Sequence, residues 1–314
     1  MSVTVSFNRV GVRYPGADRD ALRDISLSIG AGEFAVVVGP SGCGKSTLLR
    51  TVNCLIEPTS GTVCVDERDT ARFAPHELRR RIGYVIQAVG LFPHMTVQRN
   101  VALVPSLLGW DSPRIAQRTE ELLELVRLQP ERYAQRYPRQ LSGGEQQRVG
   151  VARALAGDPD ILLMDEPFGA LDAIVRRSLQ DELLEIVRRA GPTVIFVTHD
   201  VDEALRLADR IVVMRDGGIE QAGTPLEVLS KPQTPYVADL LQASDTVRRL
   251  SLMHVRDAMQ AVTPNGDTEI RADATLRDAL NNFLLGAVTL RVVEDGRVVG
   301  ALNFDALRKA MSRT

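Results

Sequence analysis

The chain has 314 residues, of which 44% are hydrophobic and 25% charged, and its formal net charge is -2. That length accommodates one large α/β domain and one small one, and the composition excludes disorder over most of it. Near-neutrality offers no bulk attraction for nucleic acid, and no stretch nears the roughly 18 uninterrupted apolar residues of a membrane span.

The first residues, MSVTVSFNRV, have no basic segment followed by an apolar one and do not read as a signal peptide. Residues 3–38 read as short strands: Val3, Val5 and Phe7 alternate with polar residues, and Leu22 to Ile29 alternates again. Phe34 to Val38 is an apolar run, as in a strand buried on both faces. It leads into a glycine-rich loop, with a helix expected from Lys45. Cys43, Cys54 and Cys64 form no CxxC pair and have no histidine cluster beside them, so free, buried thiols in a reducing cytoplasm are expected.

Residues 113–135 read as an amphipathic helix, with Leu122, Leu123, Val126 and Leu128 mainly on one face. Pro138 marks a break. Ser142 then caps a helix running to about Leu155. Ile161 to Met164 and Val194 to Val197 are further buried strands, separated by an amphipathic helix over 173–190. Strands alternating with helices predict a largely parallel α/β sheet. Residues 241–254 read as a connector. In the tail a helical pattern from Leu276 to Leu284 precedes strands at Thr289 to Val293 and Val298 to Leu302, around the turn Glu294-Asp295-Gly296. A last helix covers Asp305 to Met311.

Three segments carry chemistry. Gly39, Pro40, Ser41, Gly42, Cys43, Gly44, Lys45, Ser46 and Thr47 fit GxxxxGK[ST] between a strand and a helix. Glycines let backbone N–H groups converge on phosphate oxygens, and the helix N-terminus adds partial positive charge. In this motif Lys45 reaches the β and γ phosphates and the Ser46 hydroxyl ligates magnesium. ILLMDE at 161–166 is a strand ending in two carboxylates, at the sheet edge where ligands bind. Asp165 is expected to hold magnesium and Glu166 to act as general base toward water. Leu141-Ser142-Gly143-Gly144-Glu145-Gln146 opens a helix with free N–H groups, a second anion site. One nucleotide cannot easily sit on both helix ends of one domain, so two chains are expected to close each other's sites.

At this point the chain resembles the ATP-binding-cassette (ABC) ATPases, over about residues 3–240. Walker A is GPSGCGKST, the signature LSGGEQQRV and Walker B ILLMDEP. The resemblance adds Gln87 as the Q-loop residue near magnesium and water, Asp172 in the D-loop, His199 as the switch histidine and Tyr14 as the aromatic on adenine. It implies ATP and Mg2+ as ligands and a head-to-tail homodimer. Ser142, Gly143, Gly144 and Gln146 of one chain would then face the nucleotide of the other. The implied fold is a P-loop NTPase cassette with a mixed sheet core, a helical subdomain at about 88–155 and an antiparallel β subdomain.

Residues 82–100, IGYVIQAVGLFPHMTVQRN, resemble the permease-facing stretch of quaternary-amine osmoprotectant importer ATPases. The implied function is the energy-coupling subunit of an importer for glycine betaine, choline or carnitine. An amino-acid or polyamine importer is the alternative. A soluble cassette ATPase fits less well, since no second cassette, coiled-coil insertion or basic arm is seen, and the permease-facing PHMTV stretch and the tail argue against an exporter. Implied partners are permease subunits near the Q-loop and a periplasmic or lipid-anchored solute-binding protein, with no nucleic acid. The implied place is the cytoplasmic face of the inner or plasma membrane. Residues 1–240 form the expected nucleotide-binding domain, 241–254 a linker, and 255–314 a small α+β unit. This last unit, with DATLRDAL and LRVVEDGRVVGALNFDALRKA, resembles a single cystathionine-β-synthase (CBS) motif. Its basic and acidic residues nearly balance, which does not support a lipid-binding patch.

Overall fold

The computed structural model describes residues 2–86, 90–169, 173–260 and 268–312. It separates into two compact units, Met1–Ala222 and Gly223–Thr314.

The first unit begins with β1 (Val5–Val12), β2 (Leu22–Ile29), β3 (Phe34–Val38), α1 (Lys45–Val52), β4 (Ser60–Val65) and β5 (Arg68–Asp69). The alternation in β1 and β2 turns Val5, Phe7, Ile25 and Ile29 inward, and these strands form an antiparallel sheet in the order β2-β1-β4-β5. Next come α2 (Pro75–Arg80), β6 (Ile82–Val85), α3 (Val97–Leu107), α4 (Ser112–Leu125), α5 (Pro130–Tyr133) and α6 (Gly143–Leu155). Then follow β7 (Ile161–Asp165), α7 (Ala173–Ala190), β8 (Thr193–Thr198), α8 (Val201–Leu207), β9 (Arg210–Arg215) and β10 (Gly218–Gly223).

The second sheet has the order β10-β9-β3-β8-β7-β6. β3 pairs in parallel with both β8 and β9, and β7 with both β8 and β6. All five residues of β3 and of β7 are buried, which explains why Phe34 to Val38 and Ile161 to Met164 read as unbroken apolar runs. Helices α3 to α6 are inserted between β6 and β7, two strands that nevertheless lie side by side; α3 and α4 both pack on α6.

The register matters for function. Val38 of β3 lies beside Thr198 of β8, Asp165 of β7 beside Val197 of β8, and Val85 of β6 beside Met164 of β7. The segments that follow these strands therefore emerge along one sheet edge.

The helix expected over 113–135 is instead two. α4 ends at Leu125, Arg127 takes a positive φ of 56°, and Pro130 opens α5. The thiols also differ from expectation: Cys43 is buried, but Cys54 and Cys64 are only partly so.

The second unit contains α9 (Pro225–Ser230), α10 (Pro235–Leu241), α11 (Thr246–Leu250) and α12 (Val255–Ala258). β11 (Thr268–Arg271), α13 (Leu276–Leu284), β12 (Thr289–Glu294), β13 (Arg297–Asn303) and α14 (Phe304–Ser312) follow. β12 pairs in parallel with β11 and antiparallel with β13. The stretch 241–254 is not plain connector: it carries α11, and Leu250 is buried in one core with Leu276, Leu290 and Leu307. Among the described residues no helix is long and apolar enough to cross a membrane.

Candidate active site

The phosphate loop runs from the end of β3 into α1, whose N-cap is Gly44. Glycine is required there on two grounds. Gly44 has φ 105°, and a Cβ would come within 2.4 Å of the Ala21 carbonyl oxygen. At Gly39 a Cβ would come within 2.2 Å of the Met214 carbonyl oxygen. Gly217 N–H donates to the Cys43 carbonyl, so the turn after β9 braces the loop.

Lys45 is buried, and its Nζ donates to the carbonyls of Gly39 (2.8 Å) and Pro40 (3.0 Å). The ammonium is thus held at the loop itself. Burial raises the Cys43 thiol above its ordinary value, against the nearby Lys45 charge, so it stays protonated and unreactive near neutrality.

The Ser46 hydroxyl donates to Asp165 Oδ1 at 2.8 Å, joining two segments separated by 119 positions in sequence. A hydroxyl and a carboxylate, both hard oxygen donors, form a pair suited to a magnesium ion. Tyr14 and Thr47 hydroxyls lie 3.1 Å apart, which places the expected adenine aromatic beside the end of the loop.

Glu166 follows β7 directly. Its φ is 44°, and its N–H donates to the Val197 carbonyl at 3.0 Å. The left-handed turn aims a half-buried carboxylate across the strand edge, where Oε2 lies 3.2 Å from His199 Nδ1. A carboxylate and an imidazole are therefore within hydrogen-bond reach of one another, a pairing that can serve proton transfer.

Ser142 caps α6, with Gly143 and Gly144 as its first helical residues. The hydroxyl accepts from the Glu145 N–H, and Glu145 accepts from the Ser142 N–H at 2.7 Å, a reciprocal capping box. Burial pushes the Glu145 carboxyl up. The Ser142 amide, the Tyr133 hydroxyl and the Ser142 hydroxyl outweigh it, leaving the group below its ordinary value. Gln146 Nε2 donates to the Leu141 carbonyl. Gln87 and Asp172 lie outside the described residues.

The sequence reading missed several residues around this site. Buried Asn100 of α3 accepts from the Phe92 N–H and donates to the carbonyls of Phe92, Met95 and Thr96, which fixes the loop after the Q-loop position. Arg153 of α6 donates to the Gly90 carbonyl at 2.6 Å. A cavity of about 520 Å³ beside the phosphate loop is lined by Gly42, by Arg13, Arg19 and Arg23, and by the carboxylates Asp18, Asp20 and Asp216. Only the density of arginine over 13–23 signalled it in the sequence.

Comparison with known proteins shows the family and the fold. A family model described as ABC transporter matches residues 22–169. The glycine betaine/carnitine/choline transport ATP-binding protein OpuCA of Bacillus subtilis is 43% identical over 97% of this chain and 83% of its own length. The chain belongs to the ATP-binding proteins of ABC transporters. The glycine betaine uptake system ATP-binding protein YehX of Escherichia coli is 44% identical, over 96% of this chain and 98% of its own length. A solved ATP-binding cassette, a dimer in a post-hydrolysis state with ADP and Pi, is 36% identical with a TM-score of 0.63. It covers 70% of this chain and 98% of its own. The ABC transporter cassette fold is thus shared over the first unit. As a member of that family the chain is an ATP-binding protein whose ATP hydrolysis is coupled to transport.

Proposed function

We propose that the chain is the energy-coupling ATPase subunit of an importer for quaternary-amine osmoprotectants. The observation that carries the substrate class is the extent of the similarity. The relatives named for glycine betaine, carnitine and choline align over nearly the whole chain, tail included. The cassette alone would not distinguish solutes, because the ATPase does not touch them.

In this reading Lys45 and the loop amides bind the β and γ phosphates of ATP, and Tyr14 stacks on adenine. Ser46 and Asp165 would hold Mg2+, a role the family resemblance extends to Gln87; the ion would supply charge neutralisation on the phosphates. Glu166 takes the proton of the attacking water, and His199 orients Glu166 and the γ-phosphate. Ser142, Gly143, Gly144 and Gln146 from a second copy close the nucleotide site, and the family resemblance gives Asp172 a nucleotide-binding role there. The loop pinned by Asn100 exposes Phe92, whose ring meets His94 edge-on at 5.9 Å. We assign this loop to the permease, which would place the chain on the cytoplasmic face of the membrane with a solute-binding protein outside.

The tail has the β-α-β-β-α order of a CBS-like unit. Leu284, Leu285 and Val288 around the end of α13 are 75%, 88% and 84% exposed. Such a patch favours pairing with the tail of the second copy.

The deciding experiment reconstitutes the ATPase with its permease and solute-binding protein in proteoliposomes. Glycine betaine, carnitine or choline should stimulate ATP hydrolysis. Stimulation by an amino acid or polyamine instead would replace the solute assignment.

A further inference from the structure

Behind the strand edge lies a polar cluster that the chemistry above does not use. Thr198 of β8, Gln180 of α7 and Glu203 of α8 are all buried. The Thr198 hydroxyl donates to Glu203 Oε2 at 2.5 Å and accepts from the Asp200 N–H at 3.0 Å. Gln180 Nε2 donates to Glu203 Oε1 at 2.9 Å. Both carboxyl oxygens accept, the pattern of an ionised carboxylate. Arg176, near the start of α7, adds positive charge 3.3 Å from Asp200 Oδ2 and 4.0 Å from Glu203 Oε1. Asp200 in turn caps α8 by accepting from the amides of Asp202 and Glu203.

His199 sits between the two residues that this cluster grips. Its side chain is 58% exposed, and its ring bonds Glu166 from an otherwise open position. The backbone on either side therefore determines where the imidazole stands. On one side Thr198 is tied to Glu203; on the other Asp200 is tied to Thr198 and Arg176. A buried carboxylate is costly unless fully partnered, and an apolar side chain could fill the same space. Here every partner of Glu203 belongs to an element adjoining the catalytic edge.

The geometry points to Glu203 as a positioning residue for ATP hydrolysis: through Thr198 and Asp200 it fixes the backbone on both sides of His199, and so the imidazole against Glu166. This rests on the ATPase reading of the site. Glu203 itself contacts neither nucleotide nor water; it acts through its neighbours.

The test is steady-state ATP hydrolysis by the purified full chain carrying Glu203→Gln, Thr198→Val, Thr198→Ser, or Glu203→Gln with Thr198→Val. Displacement of a catalytic group by an ångström costs on the order of 10²-fold, so Glu203→Gln and Thr198→Val should each lower kcat by about 10- to 100-fold. KM for ATP should stay within about twofold, since ground-state binding is not involved. Thr198→Ser keeps the hydroxyl and should keep kcat near wild type. The double variant should be no worse than the worse single variant, because both cut one link. The inference is overturned if Thr198→Ser falls as far as Thr198→Val, if the two losses multiply, or if kcat merely tracks loss of thermal stability. Should Glu203→Gln fail to fold, the Thr198 pair decides alone. His199→Ala is the control: wild-type turnover by that variant would overturn the catalytic reading beneath the inference.

Discussion

Replacing Glu166 with glutamine isolates the proton-transfer step from everything else the site does. The substitution conserves shape. The backbone N–H still reaches the Val197 carbonyl, and the φ of 44° and the 3.2 Å approach to His199 Nδ1 need not change. An amide cannot take a proton from water. Loss of a positioned general base costs about 10²–10⁴ in rate, or roughly 3–5 kcal/mol of barrier. Nothing in the loop, in Lys45 or in the Ser46–Asp165 pair depends on the lost charge, so ATP binding should survive. Phosphate release at saturating Mg-ATP measures the first effect. Equilibrium binding of a fluorescent ATP analogue measures the second; with tail pairing removed by Leu285→Asp, the variant should also accumulate an ATP-bound dimer in light scattering. Hydrolysis at the wild-type rate would refute the base assignment. Loss of ATP binding together with hydrolysis would show that Glu166 holds nucleotide rather than activating water.

Other substitutions test other parts. Gly44→Ala puts a methyl 2.4 Å from the Ala21 carbonyl at φ 105°. Strain of about 1–3 kcal/mol should lower Tm, and binding of a fluorescent ATP analogue should be lost. Ser46→Ala removes a hard oxygen donor 2.8 Å from Asp165 and should raise the magnesium concentration needed for half-maximal hydrolysis, read from a metal titration. Leu285→Asp places a charge at the most exposed large apolar side chain among the described residues of the tail; nucleotide-free full chain should lose self-association in light scattering, and an unchanged mass distribution would count against tail pairing. Burial raises the Glu203 carboxyl, with Thr198 opposing and Asp200 adding to the rise. The folded chain then binds that proton at a higher pH than the unfolded chain, so the group costs stability above its folded pKa. That cost is relieved as pH falls toward the ordinary 4.5. The Tm of wild type relative to Glu203→Gln should therefore rise on acidification across that window, and the opposite slope would be inconsistent with the burial argument.

The parts of the fold that were legible from sequence are those where local pattern and burial coincide. The run ILLMD is buried at every position, and the helix expected over 173–190 is α7 to the residue. The break after α4 was missed for a physical reason. Leu128 is buried although the helix has ended, so the apolar spacing reported burial and not continuing hydrogen bonds. β11 was missed because only four residues form it, and what makes it a strand is its parallel pairing with β12, distant in sequence. The Ser46–Asp165 and Glu166–His199 pairs were expected as motifs, yet their contacts exist only because β3, β8 and β7 are neighbours in register. The Glu203 cluster had no local signal at all, since β8, α7 and α8 each contribute one part.

The same strand edge explains why one chain supplies only part of a catalytic site in this reading. Lys45, Ser46, Asp165, Glu166 and His199 all emerge from the ends of adjacent parallel strands, so they can converge on one nucleotide without any movement of the sheet. Ser142 does not belong to that edge. It opens α6, within the helices inserted between β6 and β7, and its own hydroxyl and N–H are engaged in a box with Glu145. A helix start with a neighbouring carboxylate is a poor anion site by charge alone. It gains value when an incoming phosphate meets the amides of Gly143 and Gly144 from outside. A second copy presenting its phosphate loop is a surface of that kind, which is why ATP, rather than the protein faces alone, should be the element that holds two cassettes together.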